Sequence, residues 1–391
     1  MRVTFIIPGL PLGGSERSLV KTIVAIKELV TSIDVIVFTT AGEALVEELP
    51  VGTRVHVLRM SESANPLLWL RIRRLLVCIK PQIVIGWSTY ANLVAIIATR
   101  FLDIGRIIVS ERCYLPEIFA IDRMGIFKRK IVLLLIKLFY KKAHLVTANS
   151  LDNVRFLSKF VGRGPVYAHL PNTIDVHQAD HLAKMQPEAA LKPVNGPHIL
   201  ALGRLHHQKG FDLLLQAFVL VRRQRAWNLT VVGDGPEKKR LRELACSLGI
   251  EQSIQWIGAV ENPFPYYQWA DLVVLPSRFE GFPNVALEAM SCGRAVICAD
   301  CQTGPREITE DGLYGVLIKV EDISSLATSI LEMGQNDESR YHLGRLAYKH
   351  VANTYDLSVM RPRLASILLN EHSELPRNSK EHAPPIVHAN F

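Results

Sequence analysis

The sequence predicts an α/β protein built from two doubly wound, parallel-sheet domains. Three observations lead there. Strand-like β-branched runs alternate with helical patterns from the first residues onward. The alternation lapses once, near residues 184–197, and then restarts. A chain of 391 residues is also too long for one typical core.

The elements follow in order. RVTFIIP (2–8) has strand composition, GGSERSLVKTIVAIKEL (13–29) a helical pattern and SIDVIVFTT (32–40) strand composition again. TRVHVLRM, PQIVIGW, RIIVSE and HLVTANS continue the series. KMQPEAALKPVNGP (184–197) is the best linker candidate, being rich in Pro, Ala and polar residues. Beyond it come HILALGRL (198–205), a helix at 210–224, NLTVVGDG (228–235), a helix at 236–248 and IQWIGAV (254–260). DLVVLPS (271–277), a helix at about 284–292 and AVICAD (295–300) complete the second series. The expected domains are 1–185 and 186–350, with a helix at 351–371 packing back on the first domain. The tail 372–391 is too polar and Pro-rich to fold. Two such domains facing across a cleft would hold a ligand between their carboxyl edges.

Composition narrows the function. Hydrophobic residues make up 49% and charged residues 21%, the profile of a folded globular protein. No stretch has the length and apolarity of a transmembrane helix, and the N-terminus reads as a first strand rather than an export signal. Cys298 and Cys301 are spaced as CxxC, but no second pair matches them, so reduced structural thiols in a cytosolic protein are expected. Residues 1–165 carry 23 Lys and Arg against 12 Asp and Glu, while the whole chain is only +8. The first half should therefore meet something anionic. Nucleic acid fits poorly, because the basic residues are not interleaved with aromatics and no recognition helix stands out. A membrane surface fits better: FKRKIVLLLIKLFYKK (127–142) clusters Lys128, Arg129, Lys130, Lys141 and Lys142 around an apolar middle. A buried helix with solvated ends is the alternative.

Four loops at expected carboxyl edges carry unusual polar residues. In PGLPLGGSE (8–16), Gly13 and Gly14 would let the backbone approach a ligand, and Ser15 would cap a helix whose N-terminus attracts anions. This is not GxGxxG, so the dinucleotide fingerprint is absent. In GRLHHQKG (203–210), Arg204 and Lys209 could both reach a diphosphate. His206 and His207 are adjacent there, suit no metal spacing and read as loop filler. In RFEGFPNVALEAM (278–290), Glu280 sits in a strand-to-helix loop and Glu288 about a turn inside the helix. Asn284 and Val285 could offer their N–H groups to a phosphate, Glu288 could accept from a ribose diol and Glu280 from sugar hydroxyls. In VSERCYLPE (109–117), Ser110, Glu111 and Arg112 would face the cleft from the opposite wall. Alternatively, Glu111 pairs on the surface with Arg112 or Arg123.

Taken together and in register, these residues resemble the retaining glycosyltransferases of family four, which have the two-domain GT-B fold. The resemblance covers roughly residues 2–370. It runs through PxxxGGSE, Asn149–Ser150, PNTID (171–175), GRLxxxKG and VVGDGPE to the E-x7-E pattern of 280–288, EAMSCGRAVI (288–297) and GPREIxxDGxxG (304–315). It implies that Arg204 and Lys209 bind the donor diphosphate, Glu288 the ribose and Glu280 the transferred sugar. The backbone at 281–285, including Gly281, Phe282, Asn284 and Val285, would help hold the phosphates. Gly13 and Gly14 would face those phosphates or the acceptor, and the base would stack near Ile257 in the segment 256–260. Glu111 is a further candidate catalytic residue, and Glu280 could stabilise positive charge developing on the sugar. No cofactor and no metal are implied, and the sequence contains no DxD.

Many members place a histidine near the transferred sugar, where this chain has SERCY. That signature resembles a subgroup transferring N-acetylhexosamines to lipid-linked saccharides. His144 occupies a position that is usually structural. The expected function is retaining transfer from a nucleotide-sugar, UDP-linked in the first instance, to a saccharide or lipid-linked saccharide at the cytosolic face of an anionic membrane. A nucleotide-sugar epimerase of the same fold, or a silent scaffold subunit, are the competing readings. First-domain loops at 41–47, 61–68 and 113–127, which would choose the acceptor, show no readable pattern.

Overall fold

Strands written as continuous apolar runs, without alternation, belong to parallel sheets covered on both faces. Most strands of both sheets of this protein are of that kind. A computed structural model of the chain describes residues 1–39, 44–60, 67–116, 126–191 and 196–369. Arg123, the tail 372–391 and parts of the loops at 41–47, 61–68 and 113–127 lie outside the described residues.

The first unit comprises Met1–Thr173 and the last helix from Met360. Its elements are β1 (Arg2–Ile7), α1 (Gly14–Ile26), β2 (Ser32–Val37), β3 (Thr53–Val57), α2 (Leu68–Ile79) and β4 (Ile83–Trp87). They continue with α3 (Thr89–Thr99), β5 (Arg106–Glu111), α4 (Ile126–Phe139), β6 (Leu145–Ala148), α5 (Leu151–Val161) and β7 (Val166–His169). The seven strands pair in parallel in the order β3-β2-β1-β4-β5-β6-β7.

The second unit, Ile174–Val359, opens with α6 (Val176–Ala183). It continues with β8 (His198–Leu202), α7 (Phe211–Arg222), β9 (Asn228–Val232), α8 (Lys238–Ser247), β10 (Ile254–Ile257), α9 (Phe264–Trp269) and β11 (Leu272–Leu275). Then follow α10 (Asn284–Ser291), β12 (Ala295–Ala299), α11 (Pro305–Ile308), β13 (Val316–Ile318), α12 (Ile323–Gln335), α13 (Asp337–Thr354) and α14 (Leu357–Leu369), the last of which crosses back into the first unit. The parallel order here is β10-β9-β8-β11-β12-β13.

The division falls after Thr173 rather than at 185. The reason is α6: its apolar positions Val176, Ala179 and Ala183 pack in one core with Phe264, Tyr266 and Ala286 of the second unit. The described residues 184–191 of the compositional lapse therefore fall within that unit and not at its boundary. The short strands β7 and β13 have no counterpart in the sequence reading. Helix starts follow local chemistry more closely: the side chains of Ser150, Asp175, Asp322 and Asn336 each accept a first-turn amide.

Each sheet has one point where the chain reverses direction across it, β1/β4 in the first and β8/β11 in the second. Crevices at the carboxyl ends of strands flanking such a point are where open α/β sheets bind ligands. In the second sheet, this places the loop 203–210 beside the loop 276–283. Gly210 makes the approach possible. Its φ is +65°, and a Cβ there would lie 2.0 Å from the Pro276 carbonyl oxygen, so no other residue fits.

Candidate active site

In the second unit, the two loops bring together charges seventy-one positions apart. Lys209 Nζ lies 2.6 Å from Glu280 Oε1, with Glu280 buried and Lys209 half-buried. The same carboxylate oxygen accepts from Ser277 Oγ at 2.7 Å, and the Glu280 carbonyl accepts from Thr303 Oγ1. Arg204, on the loop with Lys209, is exposed and makes no ion pair among the described residues. Glu288 is buried on α10, and its Oε2 accepts from Tyr267 OH at 2.9 Å.

Helix α10 begins at Asn284 with Pro283 at its N-cap and no side-chain cap. The first amides of a helix have no intrahelical acceptor, so the amides at 284 and 285 lie at the positive end of the helix dipole. The Phe282 ring is buried and meets Tyr355 edge-on at 5.5 Å, so only its backbone can serve a ligand. Gly281 is half-buried beside it. Ile257 ends β10 with its side chain in the core, and its carbonyl already accepts from the Gly233 amide at 3.1 Å.

Sequence reasoning missed Ser277, Thr303 and Tyr267, which orient the two glutamates. A hydroxyl three residues before Glu280 was a weak local signal for the first. Nothing local points to the other two. His206 is more than filler: its Nδ1 accepts the Gln208 amide and caps a short 3₁₀ turn. Cys301 donates to the Ser277 carbonyl at 3.0 Å, and burial pushes the Cys298 thiol well up, so both act as core thiols.

The first unit corrects three expectations. Helix α1 starts at Gly14 with Gly13 as its N-cap, so Ser15 lies inside the first turn and cannot cap it. Glu16 instead folds back over Gly13, and the Ser15 carbonyl accepts from Trp87 Nε1 at 3.0 Å. Gly14 is exposed at this end. Second, Ser110, Glu111 and Arg112 are all buried rather than solvent-facing. Third, Glu111 is not paired with Arg112. Successive residues at a strand end point to opposite sides, and the two are held by different neighbours. Glu111 accepts from Thr89 Oγ1 at 2.9 Å, Asn92 Nδ2 at 3.0 Å and Tyr140 OH. Arg112 donates to Ser18 Oγ at 2.7 Å, the Leu170 carbonyl at 3.0 Å and Asn172 Oδ1, and stacks over Trp87. His144 is bound into the sheet, with Nδ1 accepting the Ile107 amide at 3.0 Å.

Burial pushes the Glu111 carboxyl up to about 7, although hydrogen bonds from Tyr140, Thr89 and Asn92 pull it down. The unfolded chain titrates near the ordinary value. Between those two values the folded state holds the extra proton, so stability falls as pH rises through that window. The expected loss is about 3 kcal/mol. Denaturation of wild type and Glu111→Gln between about pH 4.5 and about pH 8 should show this slope only in wild type.

Two parallel Rossmann-like sheets place this chain in the GT-B class of folds. Anabaena HepE, solved in complex with UDP and glucose, superposes with a TM-score of 0.76 at 21% identity, over 94% of this chain and 99% of that one. Sucrose-phosphate synthase from Thermosynechococcus elongatus gives 0.79 at 16% identity, over 94% and 98%. Residues 196–336 match the model of the family described as glycosyl transferases group 1, and glycosyltransferase is the activity this match and the relatives below support. A Campylobacter jejuni protein is 29% identical over 354 residues, 88% of this chain and 91% of that one. Its name is N-acetylgalactosamine-N,N'-diacetylbacillosaminyl-diphospho-undecaprenol 4-alpha-N-acetylgalactosaminyltransferase. The amylovoran biosynthesis glycosyltransferase of Erwinia amylovora is 30% identical over 155 residues, 40% of this chain and 43% of that one.

Proposed function

We propose that the protein transfers a hexose or N-acetylhexosamine from a UDP-sugar, with retention of configuration, to a saccharide or lipid-linked saccharide in surface polysaccharide assembly. The observation that carries this is the meeting of Lys209 with Glu280 at the reversal point of the second sheet, with Arg204 on the same loop and Glu288 on the adjoining helix. One anionic, hydroxyl-rich donor suits all four. Its diphosphate takes Arg204, Lys209 and the amides at 284–285, its ribose takes Glu288, and its sugar takes Glu280 once Lys209 turns to phosphate. Gly13 and Gly14 are assigned to the phosphates or the acceptor. The name of the Campylobacter relative, and the UDP in HepE, agree with a UDP-sugar donor and a diphospholipid-linked acceptor.

In the proposed step, the acceptor oxygen bonds to the anomeric carbon on the face from which the diphosphate departs. The carbon–phosphate oxygen bond breaks, and the acceptor proton passes to the departing phosphate oxygen. Arg204, Lys209 and the α10 amides stabilise the charge released on the nucleoside diphosphate. No enzymatic carboxylate nucleophile and no metal take part. The test is to incubate the protein with UDP-, GDP- and ADP-sugars with and without EDTA, and to measure nucleoside diphosphate release. Slow release from a UDP-sugar, indifferent to EDTA, is expected. Release only from another donor, or abolished by EDTA, would refute the UDP or the metal-free part. Failure to bind any nucleotide would favour a scaffold subunit.

The acceptor side is assigned to an anionic membrane surface. Among the described residues no helix is long and apolar enough to cross a membrane. On α4 and the turn after it, however, Ile131, Leu134 and Leu138 are exposed amid exposed Lys128, Lys130, Lys137, Lys141 and Lys142. Residues 126–142 contain no Asp or Glu. Each lysine near an anionic surface contributes ~1 kcal/mol, so reversing Lys130, Lys137 and Lys141 to Glu should weaken co-sedimentation with phosphatidylglycerol vesicles by roughly 100-fold or more. Equal binding to phosphatidylcholine vesicles would refute the electrostatic part.

A further inference from the structure

One guanidinium joins three of the strand-to-helix loops at the carboxyl edge of the second sheet. Arg278, two residues before Glu280, reaches from the loop after β11 to the other two. Its Nη1 donates to the His207 carbonyl at 2.8 Å and to Asp212 Oδ1 at 2.9 Å, and its Nη2 to Asp212 Oδ2 at 2.9 Å. Its Nε donates to Glu321 Oε1 at 2.6 Å, in the loop between β13 and α12. The backbone adds two bonds in the same place: the Arg278 amide donates to the Gln208 carbonyl at 2.8 Å, and Gln208 Nε2 to the Phe279 carbonyl at 3.1 Å.

Arg278 and Asp212 are each only 14% exposed at the side chain. Four of the guanidinium's N–H bonds are committed to protein acceptors, so Arg278 is poorly placed to take phosphate itself. Its effect falls on its neighbours. The carbonyl it holds belongs to His207, two residues before Lys209, and its own backbone leads directly into Glu280. A planar fork gripping a carboxylate through two parallel bonds fixes distance and orientation together, which a lysine ammonium cannot do.

We propose that Arg278 is a positioning residue for the donor diphosphate site. Through Asp212, His207 and Glu321 it holds the Arg204–Lys209 loop in register with the Glu280–Glu288 loop. This rests on the donor reading above. Pre-set geometry matters because a misplacement of about 1 Å can cost on the order of 100-fold in rate.

The test compares wild type with Arg278→Lys, Arg278→Ala and the paired variant Arg278→Met/Asp212→Leu, which leaves no buried charge unpartnered. UDP affinity is measured by calorimetry, and kcat and KM with the UDP-sugar that wild type hydrolyses. Each variant is checked for a native unfolding transition. The expected result is a several-fold rise in the UDP Kd for Arg278→Lys. A fall in kcat/KM of roughly 10- to 100-fold is expected for Arg278→Ala. The paired variant should be folded yet equally impaired, and methylguanidinium should restore part of the Arg278→Ala loss. If wild type binds UDP and the folded paired variant binds and turns over donor equally well, the positioning role is overturned and the donor reading stands. If wild type binds no UDP, the donor reading fails and the positioning role falls with it.

Discussion

Lys209→Ala and Arg204→Ala are each expected to lower kcat/KM for the nucleotide-sugar by about 100- to 1,000-fold. That is the cost of removing one pre-placed donor to a developing negative charge, about 3–4 kcal/mol. The two variants should differ in a second respect. Arg204 is exposed and bonds no described carboxylate, so its removal should leave the unfolding transition of the second unit unchanged. Lys209 is the cation against the buried Glu280, and removing it leaves that carboxylate with Ser277 alone. A buried charge that loses its partner is strongly destabilising. Lys209→Ala should therefore lose stability as well as rate, and Lys209→Ala with Glu280→Gln should recover the stability without the rate. Retention of full turnover in Arg204→Ala would remove Arg204 from the diphosphate site. Glu288→Ala, which removes the carboxylate proposed to hold the ribose, should show itself mainly in KM and UDP affinity.

The second large effect is expected in the first unit. Arg112→Ala removes one buried guanidinium that ties the Ser18 hydroxyl of α1 and the Leu170 carbonyl and Asn172 side chain, both after β7, to the end of β5. It also empties the face of Trp87, whose Nε1 holds the Ser15 carbonyl. Each buried polar group left unpaired costs about 1–3 kcal/mol, so a loss of about 3–5 kcal/mol is expected. For a unit of this size that lowers its unfolding midpoint by about 10 °C, read by calorimetry as a shift of one transition only. Arg112→Met should be milder, because it keeps an apolar stem over the indole. UDP affinity should change little in either variant, since the proposed diphosphate and ribose residues Arg204, Lys209 and Glu288 are in the other unit. A loss of UDP binding at a temperature where both units remain folded would place Arg112 in the donor site and contradict its structural role.

Much of this architecture was written locally. The apolar runs at 2–7, 32–37, 198–202 and 272–275 are strands because nothing else suits β-branched residues buried on both faces. The helix formers after Pro283 start α10 where the sequence put it. Arg204, Lys209, Glu280 and Glu288 therefore fell on strand-to-helix loops, or just beyond one, from spacing alone. Local patterns failed where two elements compete for one segment. The apolar face of α6 carries no local mark of the unit that buries it, and it packs in the core with Phe264 and Tyr266. Ser15 has capping chemistry, but the turn begins one residue earlier, at Gly14.

What the sequence by itself determined was the class of fold and the loops able to carry charge. Tertiary structure alone decided which loops meet. Parallel strands are joined by crossovers, so neighbours in the sheet are not neighbours in the chain. The adjacency of β8 and β11 is what brings Lys209 to Glu280, and Arg278 to Asp212. Tertiary structure also decided that Glu111 is sealed beneath Tyr140 and Asn92, since a carboxylate at a strand end reads alike whether it faces solvent or a helix. Burial at that point depends on what α3 and the turn at 140–142 bring over it, and no local pattern records that.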